Sequence, residues 1–163
     1  MLDFITPRET VLITTRGNIV QFGKEIVKEN VAPTDWHMPV DHSHFAISLH
    51  KNSFTAKLIR QSGVCVVNFL PFSFAETVVS LGKISGHTTD KFALYNINKE
   101  EAEGVDCCKL KDAVAYIGCH IIHEFDAGDF VLFVGKVVLS REIVSGVKRL
   151  FHIGGEEFTS TRD

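Results

Sequence analysis

The sequence has no long apolar run and no cluster of basic residues. Its longest apolar stretches, such as residues 130–134, are far shorter than the ~20 residues of a membrane-spanning helix. Lys and Arg are scattered and the formal net charge is -3, which argues against a nucleic-acid or membrane-surface patch. The first residues, MLDF, lack the basic stretch and apolar run of a secretory signal. We therefore expect a cytoplasmic protein whose partners include neither nucleic acid nor a membrane.

The four cysteines form no recognised pairing or metal-binding pattern. No two of them are spaced as C-x-x-C, and Cys107 and Cys108 are adjacent in the chain. Zinc and disulfide interpretations are therefore disfavoured, and reduced structural thiols suit a reducing compartment. Three histidines, His37, His42 and His44, lie close together, but their spacing matches no standard ligand pattern. We predict no metal site.

The chain also lacks internal repeats and low-complexity segments. Its aromatic residues are strongly skewed, with 13 Phe against 2 Tyr and 1 Trp, which suits a packed β core or an apolar cofactor pocket equally well. A chain of 163 residues is long enough to bury a sizeable core without disulfides or metals. Length and composition thus predict one globular domain over residues 1–163.

Extended segments rich in β-branched and aromatic residues dominate the chain. They lie at residues 10–15, 19–22, 31–40, 45–50, 64–70, 113–125 and 130–141. The cluster at 16–18 predicts a turn, and residues 126–129 predict a hairpin connection. Six or more strands with short helices between them predict a mainly β protein, a β-barrel with peripheral helices.

Two short helices are predicted in the connections. The first covers residues 54–61, with Asn52 or Ser53 as its N-cap, because apolar residues there recur at helical spacing. The second opens with the capping-box sequence SFAE at residues 73–76 and runs to about Gly82.

Seven short motifs, in order along most of the chain, resemble the flavin reductase-like family. They lie at residues 7–17, 30–40, 47–59, 67–70, 85–92, 128–137 and 152–158, and SGHTTDKF at 85–92 is the most distinctive. Each motif alone is weak, whereas seven in order are fairly specific. The resemblance, which is to the flavoredoxin-like branch, implies an FMN-binding split β-barrel. It also implies a homodimer with each flavin near the subunit interface.

The resemblance implies that two segments bind the FMN phosphate. The first is the turn before the first helix, with Lys51, Asn52, Ser53 and Thr55. Free N–H groups and the positive end of the dipole favour an anion there, although a plain helix cap would explain Ser53 equally well from local sequence. The second segment contains Lys91 and Phe92. Lys91 would supply a point charge to the phosphate. By itself it would be interpreted as a surface lysine, and only the motif around it makes it a candidate phosphate ligand.

The same resemblance places one segment beside the isoalloxazine ring: Thr34, Asp35, Trp36, His37 and Met38. Backbone N–H groups there would donate to the flavin edge and stabilise negative charge on the reduced ring. Trp36 either lines the ring or fills the core. His152 resembles a C-terminal histidine that approaches the nicotinamide or flavin face in some flavin reductases, and a surface histidine near the last turn is the alternative.

One loop departs from the family pattern. Family members usually carry a Pro-Pro pair where this chain has DHSH at residues 41–44, and this loop bears on substrate choice. Three functions therefore stay open. The first is an FMN oxidoreductase in which NAD(P)H reduces the flavin, with free flavin, ferric iron or a small organic molecule as acceptor. The second is an FMN electron carrier served by a protein partner, and the third is a split-barrel module that has lost flavin and binds another ligand.

Overall fold

The computed structural model describes residues 3–161. These residues form twelve strands, three α-helices and two turns of 3-10 helix. The strands are β1 (Arg8–Glu9), β2 (Val11–Gln21), β3 (Lys24–Thr34), β4 (His37–Pro39), β5 (His44–His50), β6 (Val64–Phe69), β7 (Lys99–Glu101), β8 (Cys108–Leu110), β9 (Ala115–Ala127), β10 (Phe130–Glu142), β11 (Leu150–Gly154) and β12 (Glu157–Ser160). The helices are α1 (Phe54–Ser62), α2 (Ala75–Leu81) and α3 (Lys91–Leu94), and the 3-10 turns are Asp3–Ile5 and Phe72–Phe74.

Seven strands make one antiparallel sheet in the order β3-β2-β6-β9-β10-β5-β4. Its first and last strands, β3 and β4, are not hydrogen-bonded to each other, so the sheet stays open between them. A second sheet joins β1, β11 and β12, and a third joins β7 and β8. The prediction of a mainly β, split-barrel fold with peripheral helices is confirmed.

The central strands are buried on both faces. In β2, Ile13 faces the interior of the large sheet and packs with β5, β9, β10 and α1. Its neighbour Leu12 faces the other way, into a cluster with α2, α3 and β8. Successive strand residues point to opposite faces, which explains why this stretch reads as continuously apolar rather than alternating. Each large apolar side chain buried in this way contributes about 1.5–3 kcal/mol.

Helix α1 forms where its local signals predict it. Ser53 is the N-cap, and its Oγ accepts a hydrogen bond from the Ala56 backbone N–H at 3.1 Å. The buried side of the helix includes Phe54, Leu58 and Ile59, which are the residues whose spacing predicted it. The helix lies over β2 and closes one end of the barrel interior.

The first hairpin differs from the prediction. Residues 16–18 do not turn; they continue β2, which pairs with β3 as far as Gln21, and the turn lies at Phe22 and Gly23. Gly17 is explained instead by the close approach of α1, because a β-carbon at this position would lie 2.6 Å from Gln61 Oε1. Gly17 leaves room for α1 to pack against β2, and the prediction of a turn at this glycine is wrong.

The predicted capping box is also wrong. Ser73 lies inside the 3-10 turn, and α2 begins after Phe74, which makes no side-chain cap hydrogen bond. Helix α3 was not predicted, although Asp90 caps it by accepting from the Ala93 backbone N–H at 3.1 Å. The predicted hairpin of β9 and β10 is confirmed, with a shorter connection at Gly128 and Asp129.

All four cysteines are buried and unpaired, and Cys65 and Cys119 lie directly opposite each other on β6 and β9. Between residues 3 and 161, no group of three or more His, Cys, Asp or Glu side chains is placed to hold a metal ion. No helix in this range is long and apolar enough to cross a membrane.

Candidate functional site

A cavity of about 650 Å³ opens beside the gap in the large sheet. Its walls come from β3, β5, the start of α1, the α2–α3 connection and the turn between β11 and β12. The volume is in the range typical of small-molecule sites. Eight residues singled out from the sequence line it: Thr34, Asp35, Trp36, Asn52, Ser53, Thr55, Lys91 and His152.

Two residues predicted beside the flavin ring lie elsewhere. His37 faces a second hollow, where its Nε2 lies 2.8 Å from the Glu9 carbonyl oxygen and its ring stacks on Phe45. Burial lowers the pKa of His37, because charging the imidazole there loses its hydration. Met38 lies on β4 opposite Ala46 and is 58% exposed.

Two of the predicted phosphate-binding residues also lie outside the cavity wall. The ammonium group of Lys51 donates to the Gly128 carbonyl oxygen at 2.8 Å, which ties the start of α1 to the β9–β10 turn. Phe92 is buried in the core cluster with Leu12 and Leu81. Asn52 lines the cavity and is exposed.

The closed part of the cavity holds an amide group with an unused acceptor. Asn30 is 2% exposed, and its Nδ2 donates to Thr55 Oγ1 at 2.9 Å. Its Oδ1 is buried without a hydrogen-bond partner among the described residues. Gly86 packs against this oxygen, since a β-carbon there would lie 1.8 Å from it. A buried polar atom left unpaired costs about 1–3 kcal/mol, so this wall is suited to a polar ligand.

Lys91 brings a positive charge into the same cavity. It is 5% exposed, and its Nζ donates to the carbonyl oxygens of Val31 at 3.1 Å and Leu81 at 3.3 Å. Desolvation lowers the pKa of Lys91 to about 8. An ammonium carries three donors, and no carboxylate is among its hydrogen-bond partners in residues 3–161. An anionic ligand would use the third donor and offset the cost of burying the charge.

The segment at the end of β3 is held by hydrogen bonds. Thr34 Oγ1 donates to the Ser48 carbonyl oxygen at 3.0 Å and accepts from the Trp36 backbone N–H at 3.1 Å. Trp36 is 40% exposed, and the Arg8 guanidinium lies 4.9 Å from its ring centre. Of the two interpretations of this tryptophan, the structure favours the cavity wall over the core.

Asp35 connects this segment to the far end of the chain. Its Oδ1 accepts from Thr10 Oγ1 at 2.6 Å, and its Oδ2 lies 2.6 Å from His152 Nδ1. The Asp35 carbonyl oxygen accepts from Arg8 Nε at 2.8 Å. His152 reaches this point because β11 pairs with β1, which places Arg8 opposite His152.

Several cavity residues were not identified as site residues from the sequence: Thr10, Asn30, Ser48, Gly86 and Glu156. All five stand inside the residue ranges of the motifs that carry the family resemblance, and this is the signal that would have found them. Glu156 forms an ion pair with Lys83 at 2.6 Å that links the β11–β12 turn to the α2–α3 connection. The hydrogen bonds of Thr10, Asn30 and Ser48 and the ion pair of Glu156 join residues far apart in sequence, so pattern analysis does not detect them.

The departing loop lies apart from the cavity. Residues 41–44 are not among its lining residues. The Asp41 carboxylate accepts from the Ser43 backbone N–H at 2.7 Å and contacts His44 Nδ1 at 2.9 Å. These interactions, the Ser43 N–H first, lower the pKa of Asp41 to about 2. The Ser43 carbonyl oxygen also accepts from the Val137 backbone N–H at 2.8 Å, which ties the loop to β10.

The fold is shared with solved flavoproteins of low sequence identity. An FMN-binding protein of Thermus thermophilus, solved with 1-cyclohex-2-enone bound, aligns with a TM-score of 0.82 at 20% identity, covering 98% of this chain and 89% of that one. Flavoredoxin of Desulfovibrio vulgaris (Miyazaki F) gives 0.81 at 18%, with coverages of 96% and 88%. An NADH:FAD oxidoreductase of Streptomyces globisporus gives 0.81 at 14%, with coverages of 97% and 88%.

Sequence comparison gives a consistent result. A protein of Archaeoglobus fulgidus with no described function is 26% identical over 140 residues, which are 85% of this chain and 74% of that protein. The family model described as "Flavin reductase like domain" matches residues 4–156, nearly the whole chain. This chain therefore belongs to the flavin reductase-like family.

Proposed function

We propose that this chain binds FMN in the cavity and works as an oxidoreductase in which NAD(P)H reduces the flavin and a small molecule reoxidises it. The observation that carries the proposal is the buried ammonium of Lys91, which has no carboxylate partner among the described residues. It lies in a cavity whose wall also includes the first turn of α1. Family membership makes a flavin the expected ligand. The FMN-binding protein with the same fold supports the binding of FMN. The NADH:FAD oxidoreductase with the same fold supports the reduction of the flavin by a nicotinamide.

The residues present fit the phosphate of FMN. The positive charge of Lys91 and the N-terminal end of α1, where Ser53 is the cap, favour an anion. The Asn30–Thr55 hydrogen bond stiffens the wall beside them. These groups would hold the phosphate and the polar end of the ribityl chain.

The isoalloxazine would lie against the segment from Thr34 to Trp36. The Trp36 indole supplies an apolar surface. Backbone N–H groups of the segment, other than that of Trp36, which donates to Thr34 Oγ1, would supply donors for the ring edge. When bound, FMN supplies a ring that accepts a hydride and passes on electrons. The protein's part is to orient the ring, keep the stacking distance and exclude water, which needs no catalytic triad.

The absorbance spectrum of the purified protein, before and after adding FMN, is the first test. Flavin bands that stay with the protein through gel filtration support FMN binding; a colourless protein that takes up no FMN points to the non-redox module. Anaerobic stopped-flow mixing of loaded protein with NADH and with NADPH then tests the reductase activity. Bleaching by either supports it, and no bleaching at millimolar nicotinamide contradicts it.

The second candidate function is an FMN electron carrier that receives electrons from a protein. The exposed ion pair between Lys83 and Glu156 favours it, because it joins two cavity-lining segments and would narrow the access of a second small substrate. The likeness to flavoredoxin is consistent with this function. Reduction by a ferredoxin-type donor, without reduction by NAD(P)H, would select the carrier.

We also propose a cytoplasmic homodimer. Exposed apolar side chains such as Ile143, Val144 and Met38 provide surface that a second copy can bury, and a twofold dimer is the commonest oligomer. The four buried, unpaired thiols suit a reducing compartment. Sedimentation at micromolar concentration is expected to give the mass of two chains, and a monomer would contradict this assembly.

A further inference from the structure

The guanidinium of Arg8 lies over the indole of Trp36, with 4.9 Å between the guanidinium carbon and the ring centre. Its Nε donates to the carbonyl oxygen of Asp35 at 2.8 Å, and its Nη2 donates to that of His37 at 3.4 Å. Arg8 thus binds the residue on either side of Trp36 in the chain. These two bonds hold the cation at the face of the ring, where the π electrons of the indole attract it.

The indole lies between this cation and the cavity. Trp36 lines the cavity and is 40% exposed, whereas Arg8 is not among the lining residues. Arg8 reaches its position from β1, where it lies opposite His152 of β11. A fixed positive charge therefore covers the side of the indole that faces the protein, and the side that faces the cavity is open to a ligand.

The charge of Arg8 acts along the segment that it holds. Its hydrogen bonds to this segment go to neutral carbonyl oxygens, which do not neutralise it. Burial is the largest cause of the lowered pKa of His37, and the charge of Arg8 lowers this pKa further, by more than the Asp35 carboxylate raises it. That carboxylate is engaged by Thr10 and His152. The net effect of Arg8 and Asp35 on the segment is therefore that of a positive charge.

We propose that Arg8, acting through Trp36, is a positioning residue that favours the reduced, anionic form of the flavin over the oxidised, neutral form. This inference rests on the proposed function, which places the isoalloxazine against the segment from Thr34 to Trp36. A fixed cation behind the stacking surface stabilises a negatively charged ring and has little effect on a neutral one. Arg8 therefore raises the midpoint potential of bound FMN.

The charge balance of the reduction explains this effect. A hydride from NAD(P)H brings two electrons and one proton to the flavin N5, and NAD(P)+ is left. No second proton is taken up, so the ring gains one negative charge, centred at N1. Arg8 keeps its own protons throughout, because a guanidinium does not lose a proton in proteins. Its contribution is to offset the new charge and to fix the indole on which the ring stacks.

The first experiment needs no flavin, because Trp36 is the only tryptophan and supplies all of the tryptophan fluorescence. Quenching by acrylamide and the decay of the anisotropy report how exposed and how mobile its indole is. We expect Arg8→Met to raise the quenching constant and to speed up the decay, because both bonds to the flanking carbonyl oxygens are lost. Arg141→Met is the matched control, since Arg141 pairs with Glu103 outside the cavity, and it should change neither quantity.

The second experiment measures the midpoint potential of FMN bound to each variant, by equilibration without oxygen against a dye of known potential. We expect Arg8→Met to lower the ratio of reduced to oxidised FMN on the order of tenfold, a shift of about 30 mV for two electrons. Arg8→Lys keeps the charge and loses the planar fork, so it should restore most of the potential while the indole stays loose. In a Trp36→Leu background the effect of Arg8→Met should shrink, because water then reaches the guanidinium and screens it.

The outcomes separate the two proposals. An unchanged potential in Arg8→Met, an equal shift in Arg141→Met, or Trp36 fluorescence that does not respond to Arg8→Met would overturn the inference. If Arg8→Met does not fold, Arg8→Lys decides: a loosened indole with nearly the wild-type potential supports the inference, and an unchanged indole contradicts it. A protein that takes up no FMN would overturn the proposed function, and the effect on the potential with it. The fluorescence of the flavin-free protein then still decides whether Arg8 holds the indole.

Discussion

Gly86 packs so closely against the side chain of Asn30 that a β-carbon at position 86 would lie 1.8 Å from Asn30 Oδ1. Gly86→Ala is therefore expected to push Asn30 away from Thr55, whose hydroxyl accepts its Nδ2 hydrogen bond. We expect a loss of about 1–3 kcal/mol in the free energy of unfolding, measured in urea, together with weaker FMN binding in a fluorescence titration.

Gly82→Ala is the matched control for this change. A β-carbon at Gly82 finds its nearest atom at 3.7 Å, an ordinary contact, so the free energy of unfolding should stay within about 0.5 kcal/mol of the wild type. If Gly86→Ala behaves in the same way, the close contact with Asn30 has no role in the site.

Lys91 should make FMN binding depend on pH. Its pKa is lowered to about 8 by desolvation, so it is charged below that pH and loses its charge above it. FMN affinity should therefore fall as the pH rises through about 8, by up to about tenfold per unit, because binding the phosphate keeps one proton on the amine. Lys91→Met should weaken binding about 10- to 100-fold at pH 7 and abolish this pH dependence. Lys57→Met, on the exposed side of α1, is the control.

The stability of the flavin-free protein should show the opposite dependence on pH. The ordinary pKa of lysine, 10.5, lies above that of Lys91 in the folded state, so between about 8 and 10.5 the unfolded chain binds more protons than the native one. The contribution of Lys91 to the free energy of unfolding therefore rises with pH across that window. The contribution of Lys91 is obtained by measuring the free energy of unfolding in urea for the wild type and for Lys91→Met, and by comparing their difference at pH 7 with that at pH 10. No change in this difference would mean that Lys91 is not desolvated in the free protein.

Ser53 can be tested separately as a helix cap and as a phosphate ligand. Ser53→Ala removes the acceptor for the Ala56 N–H and should cost about 1 kcal/mol of stability. Ser53→Asp keeps a good cap but places a negative charge where we expect the phosphate. Stability should then be retained while FMN affinity falls at least tenfold. Unchanged affinity in Ser53→Asp would show that the phosphate binds elsewhere.

Asn68 should matter for stability and not for binding. It is fully buried outside the cavity, where its Nδ2 donates to the Leu12 carbonyl oxygen at 2.9 Å and its Oδ1 accepts from the Leu110 N–H at 2.8 Å. Asn68→Leu leaves that N–H without an acceptor, and we expect a loss of about 1–3 kcal/mol in urea unfolding. FMN affinity of the folded protein should not change. Asn98→Leu, at an exposed position, should have an effect below about 0.5 kcal/mol.

The elements that the sequence predicted correctly are those set by neighbouring residues. The Ser53 cap and the apolar spacing after it define α1 within a single stretch of chain. The hairpin of β9 and β10 likewise depends on the turn at Gly128 and on the two strands beside it. The turn predicted at Gly17 is wrong because this glycine is required by the close approach of Gln61 on α1. A contact between residues so far apart in sequence leaves no local pattern.

The same distinction explains the candidate site. Thr34, Ser53 and Lys91 were assigned to it through motifs of the family resemblance, and they line one cavity. The hydrogen bond between Asp35 and His152 joins residues 117 positions apart, and it depends on the pairing of β1 with β11. Sequence periodicity carries no information on such a pairing, so neither partner predicts the other.

The opposed cysteines of the central strands have a practical consequence. Cys65 and Cys119 face each other inside the barrel, and hydrogen bonding to Cys119 together with burial raises the pKa of Cys65. The reactive thiolate is therefore scarce and shielded in the folded molecule. An alkylating reagent reaches these sulfurs only when β6 and β9 part. The labelling rates of Cys65 and Cys119, read apart from those of Cys107 and Cys108, thus measure how often the central strands open, without any engineered probe.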